Sequence, residues 1–408
     1  MIAKNPYSPG VGTRPPYLAG RGRELHAFSR LLDDYPEKRR NLRVTGLRGV
    51  GKTVLLKECQ RIARRREWIV VRHDLSPRLR DEEQFARAIA DYLRDALEKL
   101  SSAEKFKNLI GSATKAIGEI GLPFGGSVKL KEREPTSVLE DRLAKALVQI
   151  GKLAGKQGRG VVFLFDEAHT VFDDKPSRQF PLGALLSAFI AAQDDDDEPL
   201  PVMLVLCGLP PLIGNIHSAR SNAERFFRGE TLENLPLAAE AKQQLSEAAL
   251  ALVKPAEDEG SLRFEPGLAE QIARDVDGYP YFIQWFGEAL WDAADLEGLT
   301  VIDAALYAKR RQSIQEALDS EFFESRYRDA RPADQMTLRL AAALGGETFT
   351  KAALTAAARR SSGAVDQSLR RLIADNLVYR DDHGVYAYTA PVFGDFMRRS
   401  HPRLEDDE

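Results

Sequence analysis

The stretch "LRVTGLRGVGKTVLL", Leu42 to Leu56, runs from an apolar strand through a glycine-rich turn into the start of a helix. Gly46, Gly51, Lys52 and Thr53 fall on the spacing G-x-x-x-x-G-K-T, and the strand before and helix after supply the context that spacing requires. Glycines here let backbone N–H groups turn toward one point, where a helix N-terminus adds positive potential, and the chemistry that suits such a point is a phosphate. Gly46, Gly49, Val50, Gly51, Lys52, Thr53 and Val54 are therefore the candidate lining of a nucleotide's phosphates. Lys52 would reach the outer phosphates and the Thr53 hydroxyl would ligate Mg2+.

A second element completes that chemistry. "VVFLFDEAH", Val161 to His169, is an apolar run that reads as a buried strand ending in Asp166 and Glu167. Open parallel sheets bind ligands at the carboxyl ends of their strands. Asp166 is the candidate holder of Mg2+ through water, and Glu167 the candidate base that orients and deprotonates an attacking water. The competing reading of two acidic residues after a strand is a helix cap. The letters "DEAH" also name a helicase box, but no other helicase motif accompanies them, and His169 receives no role.

Composition bounds the rest. The chain has 408 residues, 43% hydrophobic and 29% charged, which is ordinary globular material sufficient for two or three domains. A net charge of -3 excludes a globally basic nucleic-acid coat while leaving room for a local patch. No run approaches the roughly 18 to 20 apolar residues that cross a bilayer, and the first residues carry no apolar signal block, so a cytoplasmic protein without a membrane partner is expected. Cys59 and Cys207 are too few and too far apart for a disulfide framework or a zinc site, and are expected in the core.

Along the chain, prolines and glycines in residues 1–16 predict a flexible arm without regular structure. Helix and strand then alternate up to about residue 236, the pattern of a parallel sheet with helices on both faces. Within it, residues 101–135 hold an amphipathic stretch, "KNLIGSATKAIGEIG", and a short hairpin, "LPFGGSVKLKE". That segment reads as a surface insertion packed on its own domain, with an interface or membrane-surface helix as the alternative. Strands are expected to stop after Leu237. Helical spacing runs through "AAEAKQQLSEAALALV", "PGLAEQIARDV", "PYFIQWFGEALWDAA" and "VIDAALYAKRRQSIQEAL", predicting an all-helical domain over 237–318 and a linker over 319–332. "ADQMTLRLAAAL", "TKAALTAAARR" and "GAVDQSLRRLIADNL" predict three helices, and "VYRDDHGVYAYTA" a hairpin. Together they make a winged helix-turn-helix over 333–402, before an acidic tail at 403–408.

With these features in place the chain resembles the AAA+ and STAND branches of P-loop ATPases, above all the origin-recognition-initiator-like, archaeal-type ATPases that end in a winged helix. The resemblance implies an α/β fold: a P-loop parallel-sheet ATPase core over 17–236, an all-helical lid domain and a C-terminal winged helix. It implies ATP and Mg2+ as ligands, ATP hydrolysis, and a homo-oligomer formed with ATP. In "YLAGRGRELHAF" it places Leu18, Gly20 and Arg21 around adenine. The polar residue expected after "VMLVLCG" to sense the γ-phosphate is replaced by Cys207 or Gly208, a departure that argues against efficient turnover. Arg225 matches the position of an arginine finger donated across a subunit interface, with Arg228 behind it; a surface arginine with an intrachain partner is the alternative. Gly278 and Pro280 resemble the glycine-x-proline motif of STAND proteins, in which the proline packs on adenine, and are equally compatible with a proline in the first turn of a helix.

The winged helix would present Gln367, Ser368, Arg370 and Arg371 from its recognition helix, Arg380 and His383 from its wing, and Arg359 and Arg360 just before. Duplex DNA is the expected partner, although Asp366, Asp375, Asp381 and Asp382 dilute the charge. The alternative is a STAND-like regulatory ATPase whose winged helix contacts protein, with slow or no turnover. A third reading has ATP bound for structure alone.

Overall fold

The computed structural model describes residues 4–10, 12–35, 37–38, 40–100, 106–120, 135–194, 200–241, 244–260, 262–358, 361–381 and 384–403. The chain divides into two compact units. One, the sheet unit, comprises Arg23–Gly46 and Leu55–Thr231; the other, the helical unit, comprises Met1–Gly22, Leu47–Val54 and Leu232–Glu408.

Elements of the first part of the chain are α1 (Gly22–Asp33), β1 (Asn41–Gly46), α2 (Lys52–Arg65), β2 (Ile69–Asp74), α3 (Glu82–Leu100), α4 (Lys107–Ile120) and α5 (Pro135–Lys156). There follow β3 (Val161–Asp166), α6 (Pro181–Gln193), β4 (Val202–Gly208), α7 (Pro211–Ala219) and β5 (Phe227–Leu232). The strands form one sheet in the order β2-β3-β4-β1-β5. Pairing is parallel for β2 with β3, β3 with β4 and β1 with β4, with Ile69 opposite Val161, Val161 opposite Val202 and Leu42 opposite Val205. Every residue of "VVFLFD" and "VMLVLCG" is buried, as the continuous apolar runs of central parallel strands require. Parallel register brings Gly46, Asp166 and Gly208, the last residues of β1, β3 and β4, to one edge of the sheet.

The amphipathic stretch after α3 is a helix, α4, whose Ala113, Ile117 and Ile120 enter the same core as Phe85 and Leu93 of α3 and Leu143 and Ile150 of α5. Its apolar face is thus covered within its own unit; the hairpin anticipated after it lies outside the described residues. Cys59 and Cys207 are both buried. Strand β5 corrects the sequence reading, which saw no strand in "FRGETL": its burial alternates only weakly, with Arg228, Gly229 and Thr231 exposed, as befits a sheet edge.

In the helical unit come α8 (Glu247–Glu259), β6 (Arg263–Phe264), α9 (Leu268–Asp275), α10 (Pro280–Leu296), β7 (Val301–Ile302) and α11 (Ala304–Leu318). The two-residue strands β6 and β7 pair in parallel, against the expectation that strands end at Leu237. Helix is also absent from the described part of 238–246, because Ser246 sets the start of α8: its Oγ accepts the Ala249 N–H at 3.2 Å. The N-terminal arm is pinned, not free. Tyr7 is 3% exposed, donates its hydroxyl to the Leu252 carbonyl and meets the buried Trp291 edge-on at 6.1 Å, while Asn5 Nδ2 donates to the Glu288 carbonyl at 3.0 Å.

The expected linker is helical. A π-helical turn, Asp319–Glu324, continues α11 into α12 (Ser325–Asp329). Its Phe323 is fully buried and stacks on Phe396 with centroids 5.1 Å apart, so the segment has an apolar face to cover and stays ordered. The final body holds α13 (Pro332–Ala343), β8 (Thr348–Thr350), α14 (Lys351–Ala357), α15 (Ser362–Ala374), β9 (Val378–Arg380), β10 (Val385–Tyr388) and α16 (Phe393–Ser400). The three helices and the hairpin strands are as anticipated; β8, which completes an antiparallel sheet of order β8-β10-β9, and α16 are additions.

Candidate functional site

The loop between β1 and α2 has the backbone its glycines imply. Gly49 and Gly51 take φ values of 75° and 96°, and a Cβ added at Gly51 would meet nothing within 4 Å. Conformation and not crowding therefore demands glycine at that position. Lys52 is buried and its Nζ donates to the Leu47 carbonyl at 2.8 Å, so the ammonium lies across the loop. The donor set of backbone amides, an ammonium and the Thr53 hydroxyl is one that fits a magnesium nucleotide.

Arg21 does more than its expected place beside adenine implies. Buried to 6% exposure, its Nη2 donates to the Val50 carbonyl at 2.9 Å and to the Glu233 carbonyl at 2.7 Å, tying the phosphate loop to the chain that leads into α8. Gly20, at φ 61°, donates its N–H to Glu247 Oε2 at 2.8 Å, and Leu18 is half-buried nearby in sequence.

A contact that sequence reasoning missed comes from Tyr279. Its ring packs on the loop so closely that a Cβ at Gly49 would sit 2.6 Å from the Tyr279 hydroxyl oxygen. The hydroxyl is buried with no hydrogen-bond partner among the described residues. Burial pushes it well above the usual tyrosine range, against the opposing pull of the Arg326 and Arg48 charges. Its neighbours explain the placement. Gly278 has φ 62°, and a Cβ there would lie 2.3 Å from the Leu235 carbonyl oxygen, so only glycine allows this approach. Pro280 occupies the first turn of α10, half-buried. The loop also reaches the C-terminal body: the Arg48 N–H donates to the Thr389 carbonyl at 3.1 Å.

In the sheet unit, Asp166 is 2% exposed and its Oδ1 accepts the Glu167 N–H at 2.9 Å. Glu167 has left-handed φ and ψ of 51° and 28°, an unusual backbone for a non-glycine residue, and its carboxylate is 41% exposed. His169 earns a place that the sequence did not indicate. Its Nδ1 lies 3.6 Å from Glu167 Oε2 and accepts the Leu209 N–H at 3.3 Å. A Cβ at Gly208 would come within 2.9 Å of the His169 backbone nitrogen and 3.0 Å of its Nδ1, so the end of β4 has no room for a side chain at that position.

Arg225 lies on a single 3-10 turn, Ala223–Phe226, not on a helix; it is exposed and forms no ion pair among the described residues. Arg228 is paired with Glu230 at 2.8 Å. Arg228 also borders a cleft of about 670 Å3 with Arg23, His26, Arg30, Lys38 and Arg40, a basic surface at the amino end of β1.

The proposed recognition residues on α15 separate into two kinds. Gln367 and Arg370 are exposed, Arg370 pairing with Asp366 at 2.8 Å, and Arg380 is exposed on β9. Arg371 instead turns inward: Nε and Nη2 donate to Asp334 at 2.8 Å and 2.6 Å, and to Ser368 at 3.1 Å. With Asp334 and Ser368 both buried, Arg371 and Ser368 serve the packing of α13 on α15, a correction to their reading as outward contacts. Arg359, Arg360, Asp382 and His383 lie outside the described residues.

Residues 17–205 match the AAA ATPase domain family, and residues 320–397 match a domain of unknown function (DUF8462). With its phosphate loop and five-stranded parallel-type sheet, the chain has the α/β P-loop ATPase fold. Its fold is origin-recognition-like. It superposes on the Aeropyrum pernix ORC2 protein in its ADPNP-ADP complexes with a TM-score of 0.52 and 14% identity, covering 96% of this chain and 95% of that one. The ADP form of ORC2 gives a TM-score of 0.52 at 14% identity, over 98% and 99% of the two chains. The Thermotoga maritima RuvB Holliday junction branch migration motor gives 0.44 at 15% identity, over 90% and 92%. No curated protein matches. No described helix is long and apolar enough to cross a membrane.

Proposed function

We propose that this protein is an ATP-dependent switch of the AAA+ type, in which nucleotide on the phosphate loop sets the state of the helical unit and of its C-terminal body. The supporting observation is the way the loop is held: Arg21 on Val50, Tyr279 on Gly49 and Thr389 on Arg48 all act within Leu47–Val54. Any ligand that reshapes those residues acts on α10 and the C-terminal sheet at once. ORC2, whose fold this chain shares, has been captured with ADPNP and ADP.

In this reading Gly46, Gly49, Val50, Gly51 and Val54 present the loop backbone, Lys52 binds the outer phosphates, and Thr53 and Asp166 hold Mg2+. Bound Mg2+ supplies charge neutralisation at the phosphates. Glu167 takes the proton of the attacking water, steadied by His169. Leu18, Gly20, Arg21 and Pro280 enclose adenine. Arg225 acts across a subunit interface in an ATP-formed homo-oligomer. Absence of a polar side chain at Gly208 makes turnover slow. Shifting such a switch from mostly open to mostly closed needs about 5.5 kcal/mol of differential binding, within reach of a triphosphate held at many points.

The order helix, strand, helix, helix, strand, strand in residues 332–388 is that of a winged helix-turn-helix, and exposed Gln367, Arg370 and Arg380 suit it to duplex DNA. The contact of Thr389 with the phosphate loop favours a second reading, in which this body works as a protein contact on the ATPase itself. Duplex binding across a salt series, with and without Mg-ATP, separates the two. DNA contact predicts log affinity falling by about 0.9 for each phosphate engaged and a response to nucleotide; no duplex binding leaves the regulatory reading.

A further inference from the structure

One face of α10 is shaped to the N-terminal arm. Gln284, Gly287, Glu288, Trp291 and Asp292 recur at spacings of three and four and so share one side of the helix, and each of them meets the arm. Asn5 Nδ2 donates to the Glu288 carbonyl at 3.0 Å and to Asp292 Oδ1 at 2.7 Å, the Ser8 N–H donates to Gln284 Oε1 at 3.4 Å, and Tyr7 meets Trp291 edge-on. Gly287 lies in the midst of these contacts. A Cβ there would sit 2.6 Å from Tyr7 Cδ1 and 2.7 Å from Cε1, well inside the roughly 3.5 Å at which carbon atoms pack. Glycine within a helix costs about 1 kcal/mol against alanine, and here its bare backbone opens a slot that the Tyr7 ring fills. The Tyr7 hydroxyl closes the seat from the other side by donating to the Leu252 carbonyl of α8.

The same stretch of chain ends on the phosphate loop. Beyond a turn closed by the Thr13 N–H on the Gly10 carbonyl at 3.1 Å, Pro15 and Pro16 restrict the backbone. Gly20 then gives its N–H to Glu247 Oε2 in the first turn of α8, and Arg21 spans the Val50 and Glu233 carbonyls. A Cβ at Gly20 would lie 3.1 Å from Leu235 Cδ2, so this end is closely seated as well. The arm is thus anchored twice within one unit: by Tyr7 on α8 and α10, and by Gly20 and Arg21 on α8 and the loop. With two stiff prolines between the anchors, a shift of the ring in its slot displaces the second anchor.

We propose that Tyr7, seated in the slot at Gly287, is a positioning residue for the nucleotide site: it straps the arm across α8 and α10 and so holds Leu18, Gly20 and Arg21 in place to receive adenine. This rests on the nucleotide reading of the phosphate loop given above. ATP and ADP carry the same base, so the strap strengthens both alike. Because the hydroxyl is held by α8 and the ring by α10, movement of one helix against the other opens the slot and loosens the site.

Titration calorimetry on the full chain with Mg-ATP and with Mg-ADP, joined to hydrogen exchange of the segment 17–22, tests this in Tyr7→Ala, Gly287→Ala and Tyr7→Phe. If losing the ring's seat leaves the arm in place about one tenth of the time, Tyr7→Ala and Gly287→Ala each weaken both nucleotides by about tenfold. The Gly20 amide should exchange faster in both. Tyr7→Phe keeps the ring in the slot and should stay within about threefold of the unaltered protein. The double variant of Tyr7→Ala with Gly287→Ala should bind no more weakly than either single one, since both act by emptying one slot. Unchanged affinity in both folded single variants overturns the proposal, and so does weakened affinity with unchanged exchange at 17–22. No uptake by the unaltered protein overturns the nucleotide reading instead; exchange at 17–22 then judges the strap alone, and unchanged exchange overturns it too. Should Gly287→Ala fail to fold, Tyr7→Ala decides by the same outcomes.

Discussion

Arg371 of α15 holds Asp334 of α13 in two hydrogen bonds, at 2.8 Å and 2.6 Å, around a carboxylate with no exposed surface. Beside it on the same helix, Arg370 is 80% exposed and, among the described residues, pairs only with Asp366. Adjacent arginines in one motif thus face opposite ways. Arg371→Ala leaves a buried carboxylate unpaired and should cost about 3 kcal/mol in chemical denaturation. Arg370→Ala should change stability by less than about 0.5 kcal/mol. If α15 reads DNA, Arg370→Ala should instead reduce the salt slope of duplex binding by about 0.9.

The same pair sets a pH dependence. Burial raises the Asp334 carboxyl, but hydrogen bonds from Arg371 and Ser368 and the Arg371 charge outweigh it and hold the group below the usual carboxylate range. A carboxyl lowered by folding stabilises fully above its unfolded value, about 3.9, and loses that contribution as pH falls through the folded value. Denaturation of the unaltered protein and Asp334→Asn should therefore differ by a constant amount from pH 7 to about pH 5, with the gap narrowing progressively as pH falls below about 4 toward the lowered folded value. A gap that stays constant as pH falls below about 4 contradicts the assignment.

Lys52→Ala should abolish nucleotide uptake in calorimetry, because the ammonium that spans the loop is lost. Glu167→Gln should bind ATP as the unaltered protein does and release no phosphate, since an amide cannot accept the water's proton. Turnover retained by Glu167→Gln would assign the base elsewhere.

Arg225→Ala should lower phosphate release by about 10³-fold or more only at protein concentrations where subunits associate. Equal rates for variant and unaltered protein, measured across a dilution series spanning that association, would make Arg225 an ordinary surface cation.

Much of this molecule was legible in the sequence. Continuous apolar runs located β3 and β4, and the glycine spacing located the phosphate loop, because both signals are local. What escaped was of two kinds. Strand β5 and the helical segment 319–329 have polar or mixed sequences whose form is set by neighbours: the sheet edge for one, the aromatic rings of α16 for the other. Partnerships across long separations escaped as well. Asp334 stands 37 positions before Arg371 and Tyr279 far beyond Gly49, and neither pairing has a sequence signature. The roles of His169 and Gly208 became visible only together, since one residue occupies the room the other gives up.

The π-helical turn that follows α11 has a mechanical consequence. Its Asp319 is gripped by Arg399 at 2.9 Å, and Glu324 by His401 at 2.7 Å, both from the far end of the chain. Arg399 and His401 thereby clasp the rod that joins the bundle to the final body, stiffening what would otherwise be a hinge. Torque applied at one end of that rod arrives at the other instead of dissipating in a loose joint.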